Sequence, residues 1–237
     1  ILKKIVKFNI NRNNVIIIYG PPGSGKSTQA ELLAKKFNSL HFNTGPFIER
    51  LVHSPAAETD PILKKEKAIF DAGELCTPEW VLSMVKDAAL RISQAGFGLV
   101  FSGSPRTIFE AFGSAETSGL MQTLDEIFDR ENITIINLIV ENEAEYVKRN
   151  TLRVVCSVCG LPFLADANAE RCSFCAGAPR KRVLDNPEII KTRLKEYRER
   201  TLPIQEALKS RGYVITDING ENLPFQVFNE IIGKISK

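Results

Sequence analysis

One octapeptide constrains this chain more than any other feature. Gly20-Pro21-Pro22-Gly23-Ser24-Gly25-Lys26-Ser27 fits the pattern G-x-x-x-x-G-K-[ST]. It follows a short apolar run, Val15–Tyr19, and precedes a helical stripe of Ala30, Leu33, Ala34 and Phe37 at i, i+3, i+4 and i+7. In that strand–loop–helix setting the pattern has a physical meaning. The glycines let the backbone curl so that successive N–H groups face phosphate oxygens, and the start of the helix adds its positive end. Gly23, Ser24, Gly25, Lys26, Ser27 and Thr28 are therefore expected to hold the phosphates of ATP. Lys26 would bridge the outer phosphates, and the Ser27 hydroxyl would ligate Mg²⁺. A glycine turn that merely caps a helix is the bland alternative, and the flanking segments argue against it. On the helix itself, Gln29, Glu31, Lys35 and Lys36 are expected to face water.

Apolar runs and amphipathic stripes alternate through the rest of the chain. Strands are expected over 98–101, 133–140 and 213–218, and helices over 78–93, 143–151 and 187–209, with a last stripe at Phe228, Ile231, Ile232 and Ile235. Strands separated by helices of this length imply an α/β fold with a parallel sheet covered on both faces, here of the P-loop type. Residues 44–75 and 154–182 interrupt the rhythm and are read as insertions at the ligand-facing edge of the sheet. The expected organisation is a core formed by 1–43, 76–153 and 183–237, carrying those two pieces.

With 237 residues and 43% hydrophobic content the chain can bury a core of its own. Its 31 Lys plus Arg against 28 Asp plus Glu leave +3, too little to argue for a nucleic-acid or membrane partner. An anionic ligand must then be met locally. No apolar run approaches the roughly 20 residues that span a bilayer. The first residues lack the pattern of a secretion signal, so a cytoplasmic monomer is expected. The chain does not begin with Met, which reads as a start inside a longer frame.

Four of the five cysteines form two C-x-x-C pairs, Cys156 with Cys159 and Cys172 with Cys175, twelve residues apart. This is the spacing of a closed tetrahedral zinc site, structural because four thiolates leave no open position. A redox pair and a stand-alone zinc ribbon are the alternatives. Cys76 is isolated and reads as a small apolar residue. His41 and His53 lack a partner at ligand spacing and receive no role.

Beyond the P-loop, the chain resembles adenylate kinase, the nucleoside monophosphate kinase family, in its long form with a zinc-bound lid. The likeness is carried by 20–29, Phe42-Asn43-Thr44-Gly45, Asp71-Ala72-Gly73-Glu74-Leu75-Cys76-Thr77-Pro78, Gly103-Ser104-Pro105-Arg106-Thr107, the four cysteines, Arg182, and Arg193-Leu194. It implies a monophosphate-binding insert at 44–75 and a lid at 154–182 that closes over ATP. It also implies that Arg106 grips the acceptor phosphate with Arg50 beside it. Arg153, Arg182 and Arg193 would converge on the transferring group, and Arg149 would lie against the donor adenine and its phosphates. Thr44, Gly45, Glu74, Cys76, Gly103 and Glu110, with Arg182 and Arg193, would complete the acceptor side, and Arg153 would also contact ATP.

Several positions depart from the family pattern. Ser102 stands where the family has an aspartate that holds Mg²⁺ through water, Ser104 replaces an aromatic residue, and Glu110 replaces a glutamine that recognises adenine. The interval from Thr44 to Arg50 is one residue longer than the family's. A carboxylate at 110 offers only acceptors, so it could take the exocyclic amine of adenine or the N–H groups on one edge of guanine. AMP is the expected acceptor, with GMP or another monophosphate as the alternative. A nucleotide-binding homologue that has lost catalysis, and a zinc-ribbon nucleic-acid binder, are readings from other classes.

Overall fold

The computed structural model describes residues 14–163 and 169–235. What was expected of the first thirteen residues lies outside that range. Strand β1 (Val15–Tyr19) is buried along its whole length and leads through the phosphate loop into α1 (Lys26–Phe37). Then come β2 (Ser39–Asn43), α2 (Thr44–Val52), α3 (Pro61–Asp71), α4 (Pro78–Gln94) and β3 (Gly98–Ser102). The short helices α5 (Ile108–Phe112) and α6 (Leu120–Phe128) precede β4 (Ile133–Ile139) and α7 (Glu143–Leu152). Next are three short strands, β5 (Val154–Cys156), β6 (Pro162–Phe163) and β7 (Pro179–Arg180). The chain closes with α8 (Pro187–Glu196), α9 (Leu202–Ser210), β8 (Ile215–Asn219) and α10 (Pro224–Ile235).

Five strands form one all-parallel sheet in the order β2-β3-β1-β4-β8. Alternation along each strand divides the apolar interior in two. Val15, Ile17, Leu99, Phe101 and Ile135 pack with α4, α6 and α9 on one face. Ile16, Ile18, Val100, Ile136 and Leu138 pack with α1 and α10 on the other. This explains why the strands read as continuous apolar runs in the sequence.

Three sequence expectations need correction. Gln29 does not face water: it is 2% exposed, and its Nε2 donates to Pro224 O at 2.9 Å, because α10 lies across α1 at that point. The helix expected over 187–209 is interrupted by a π turn, Tyr197–Thr201, in which the Leu202 N–H bonds Tyr197 O five residues back. Pro203 has no N–H to continue the ordinary ladder, and its ring would meet the carbonyl one turn earlier. The last strand begins at Ile215 and not at residue 213, because Tyr213 instead donates its N–H to Leu208 O and packs into the first apolar cluster.

The two interruptions of the rhythm take different forms. Within 44–75, α2 and α3 are joined by a 3-10 turn, and Asp60 caps α3 by accepting from Ile62 N and Leu63 N. Within 154–182, β5 pairs antiparallel with both β6 and β7. No helix among the described residues is long and apolar enough to cross a membrane.

Candidate active site

The C-terminal ends of β1, β2 and β3 and the start of α1 open into a cleft of about 550 Å³. Gly25 takes the left-handed conformation, φ 92°, that lets the loop turn into α1, and having no side chain it leaves the first-turn N–H groups uncapped. At Gly23 the constraint is space: a Cβ there would come 2.5 Å from Asn150 Nδ2. Gly23, Gly25, Lys26, Ser27 and Thr28 line the cleft. Ser24 is buried behind them, with its Oγ lacking a partner among the described residues.

Lys26 donates from Nζ to Gly20 O and Pro21 O, both at 2.8 Å. Its pKa lies well below the ordinary value, through burial first and then through Arg106, Arg193 and Arg153. The arginines press on one another in the same way. Burial, with Arg106, Arg182 and Arg153, brings Arg193 down to about 9. Burial and then Arg153 lower Arg182, and burial and Arg200 lower Arg106. Positive groups from β3's exit, the end of α7, α8 and the return from the four-cysteine segment thus crowd one water-poor space.

Several of these groups are held in place by residues that the sequence reading did not single out. Asp185 accepts from Arg153 Nε at 2.8 Å and from its Nη2, and lies 3.7 Å from Arg193 Nη1. Thr201, in the π turn, donates from Oγ1 to Arg106 O at 2.9 Å. Arg149 is fixed by Glu145 Oε1 at 3.0 Å, Gly220 O at 2.8 Å and Glu221 O at 2.9 Å. Arg182 donates to Glu49 Oε2 at 3.3 Å.

Arg50 is not brought to the cleft. It is exposed, whereas its neighbour Glu49 turns inward. Each residue of an α-helix advances about 100°, so with Glu49 on the inner face the next residue, Arg50, points away from it.

Thr44, Gly45, Glu74, Cys76, Gly103 and Glu110 all line the same cleft as the phosphate loop. Thr44 Oγ1 donates to Ser104 Oγ at 3.0 Å. The Cys76 thiol is pushed up to about 12, by burial first and then by Glu66, so it is an inert packing group. Glu110 is 3% exposed. Its Oε2 accepts from Arg106 N at 2.9 Å and its Oε1 from Thr107 Oγ1 at 3.2 Å. Burial still raises the carboxyl from its ordinary 4.5 to about 7.

His41, which the sequence left without a role, is bonded through Nε2 to Ser102 Oγ at 2.7 Å, with Glu31 Oε2 3.6 Å from its Nδ1. Burial lowers its pKa against the pull of Glu31. The alternation of His41 and Asn43 would have revealed the shared face had 39–43 been read as a strand.

The four cysteines lie apart from the cleft, at the turns between β5, β6 and β7. Their sulfurs lie within 4.8 Å of one another, with Cys156 and Cys175 at 3.4 Å and Cys159 and Cys172 at 3.6 Å. Tetrahedral zinc with bonds of about 2.3 Å needs sulfur edges of about 3.8 Å, so this set fits the ion. Backbone N–H groups, of Cys159 first, bring Cys156 down to about 6, while burial and the neighbouring cysteines push Cys159 up to about 12, so without an ion the four sulfurs share their protons unevenly. Gly177 makes room, since a Cβ there would come 2.6 Å from Cys156 Sγ.

A phosphate loop at the centre of a parallel sheet, opening beneath a wall of buried cations, defines a P-loop nucleotide kinase. Comparison with known proteins narrows the class. Residues 18–213 match the family model described as Adenylate kinase. The adenylate kinase of Desulforamulus reducens is 35% identical over 223 residues, covering 92% of this chain and 97% of that protein. That of Methanothrix thermoacetophila is 33% identical over 226 residues, 94% and 98%. That of Novosphingobium aromaticivorans is 36% identical over 207 residues, 84% and 88%. The chain belongs to the adenylate kinase family, a family of nucleoside monophosphate kinases.

Proposed function

We propose that this chain transfers the γ-phosphoryl group of ATP to a nucleoside monophosphate, with AMP the preferred acceptor, giving two molecules of ADP. The observation that carries this reading is the convergence of Lys26, Arg106, Arg153, Arg182 and Arg193 on one cleft, where burial is the first cause that lowers Lys26, Arg106, Arg182 and Arg193. Like charges crowded into buried space are costly, and anions relieve that cost. Phosphoryl transfer between two nucleotides gathers negative charge at one point and needs no covalent step on the protein. A protein that only bound one nucleotide would gain nothing from cations on the far wall.

In this reading the N–H groups of the phosphate loop hold the donor phosphates and Lys26 bridges the outer ones. Arg153, Arg182 and Arg193 meet the transferring group, Arg149 lies against the donor, and Arg106 takes the acceptor phosphate with Arg182 and Arg193 beside it. Guanidinium groups suit the task because each offers paired donors in a fixed plane. The Ser27 hydroxyl, which accepts from Asn43 Nδ2 at 3.1 Å at the cleft edge, is a hard oxygen ligand of the kind Mg²⁺ prefers. With ATP bound, that ion would neutralise charge on the phosphate oxygens. The four thiolates would hold a structural zinc in a lid, 154–182, that closes over the donor, while 44–75 binds the acceptor.

The state of Glu110 favours AMP. With its carboxyl at about 7, the group exchanges between both forms at neutral pH, and the protonated form offers one donor and one acceptor. That is the pair a glutamine amide presents, and it matches N1 and the exocyclic amine of adenine. Ionised, the same group accepts only and suits guanine, which is the second reading. A coupled assay with ATP against AMP, GMP, CMP and UMP tests both. AMP should give the highest kcat/KM, and absence of turnover with every monophosphate would overturn the assignment.

A further inference from the structure

The sheet edge beside the phosphate loop carries a set of polar side chains that the roles above leave unused. His41 and Asn43 alternate along β2 and so share a face. Ser27 and Glu31, one turn apart on α1, meet them as two rungs. Asn43 Nδ2 donates to Ser27 Oγ at 3.1 Å, and His41 Nδ1 stands 3.6 Å from Glu31 Oε2. The remaining ring nitrogen of His41 lies 2.7 Å from Ser102 Oγ. Ser102 ends β3, paired with Ile18 of β1 on one side and with Asn43 on the other, and it lines the cleft together with Ser27. The His41 side chain is 7% exposed, so its polar atoms are committed to these partners.

The chemistry of the chain of contacts is directional. A carboxylate 3.6 Å from Nδ1 favours the ring proton on that nitrogen, which would leave Nε2 as an acceptor. In that tautomer Nε2 accepts a hydrogen bond from the Ser102 hydroxyl, and the lone pairs of Ser102 Oγ face outward as acceptors. Mg²⁺ retains several of its waters when bound with a nucleotide, and each such water is a donor seeking a fixed acceptor. An ordinary serine rotates between donating and accepting, whereas with the ring proton on Nδ1 this one would donate inward to His41 and accept outward.

We propose that His41 is a positioning residue for the nucleotide-bound divalent cation, fixing the Ser102 hydroxyl through the Glu31–His41–Ser102 chain as an acceptor for water in the cation's hydration shell. The inference rests on the phosphotransfer reading of the cleft. It assigns a function to His41 and to Glu31, neither of which touches substrate.

The test uses the full chain with ATP, no acceptor, and Mn²⁺ as a paramagnetic probe read by electron spin resonance. Ser102→Ala and His41→Gln should each weaken Mn²⁺ binding to the ATP-loaded protein about tenfold or more, the usual size of an outer-shell effect. Affinity for ATP without metal should not change. In a Ser102→Asp background the loss on His41→Gln should shrink, because a carboxylate needs no partner to take up its proton. Nitrogen chemical shifts of His41 in the metal-free wild-type chain should report the proton on Nδ1. Unchanged Mn²⁺ affinity in Ser102→Ala, the smaller of the two replacements, would overturn the inference, as would a proton on Nε2 in the wild type. Either result would leave the phosphotransfer reading intact, whereas failure of the wild type to bind ATP at all would remove that reading first.

Discussion

Glu49 Oε2 lies 3.3 Å from Arg182 Nη2, joining α2 to the segment that returns from the four-cysteine loop. Arg180 approaches the same carboxylate at 3.9 Å. The α2–α3 insert and the far side of the cleft are therefore bridged by a carboxylate that would compete with an anion at Arg182.

Glu49→Gln should strengthen binding of the acceptor phosphate, because it removes a carboxylate that competes for Arg182. A partly screened pair of this kind is worth about 1 kcal/mol, so the KM for the monophosphate should fall about fivefold with little change in kcat. Steady-state kinetics decide the matter. A KM that stays the same or rises means that the pair serves closure and not competition.

Lys26→Met keeps the length of the side chain and removes its charge. Turnover should fall by about 10³ or more, the usual cost of losing a charge that stabilises the transferring phosphoryl group. The fold should hold, because the change also relieves repulsion with Arg106, Arg193 and Arg153. Activity and calorimetry on one purified sample give both readings, and near-wild-type turnover would exclude the role of Lys26.

The raised carboxyl of Glu110 gives a pH dependence of definite sign. The folded chain keeps this proton up to about pH 7, whereas the unfolded chain releases it near 4.5. Stability is therefore lost as pH rises through that interval, by roughly 3 kcal/mol in all. Glu110→Gln removes the penalty, so its gain in Tm should be greatest at pH 8 and vanish below pH 4.5. The AMP-to-GMP ratio of kcat/KM depends on the folded chain alone, so it should fall around pH 7 in the wild type and stay flat in the variant. A wild-type ratio independent of pH means that Glu110 does not read the base.

Zinc should be found at one ion per chain. Replacing Cys156 and Cys159 with serine removes two soft ligands, so the site should empty and its turns lose order. Tm and turnover should both fall while the core stays folded. Elemental analysis with calorimetry tests this, and a double variant equal to wild type in melting and activity would contradict it.

What could be read from the sequence was what is local or doubly buried. The phosphate loop and the cysteine pairs depend on spacing over a few residues, and β1, β3 and β4 announce themselves because both faces of each are covered. Strand β2 gave no such signal, since it lies at the sheet edge with mixed residues of intermediate burial. With β2 missing, the meeting of His41 and Ser102, 61 residues apart, could not be foreseen. The inward turn of Glu49 depends on the register of α2, and the fixing of Arg106 by Thr201 depends on a π turn imposed by Pro203. Each of these is set by packing that composition does not record.

The division of the apolar interior also decides how the two halves of the cleft can move. Ile48, Val52 and Phe70 of the α2–α3 insert belong to the same apolar cluster as the sheet. Swinging that insert outward would wet core side chains at about 25 cal/mol for each Å². No described residue of 154–180 belongs to either cluster, so moving the described part of the cysteine-bearing piece would uncover none of that apolar surface. Any opening of the cleft is therefore expected to start on the cysteine side, the jaw that is not cast into the frame.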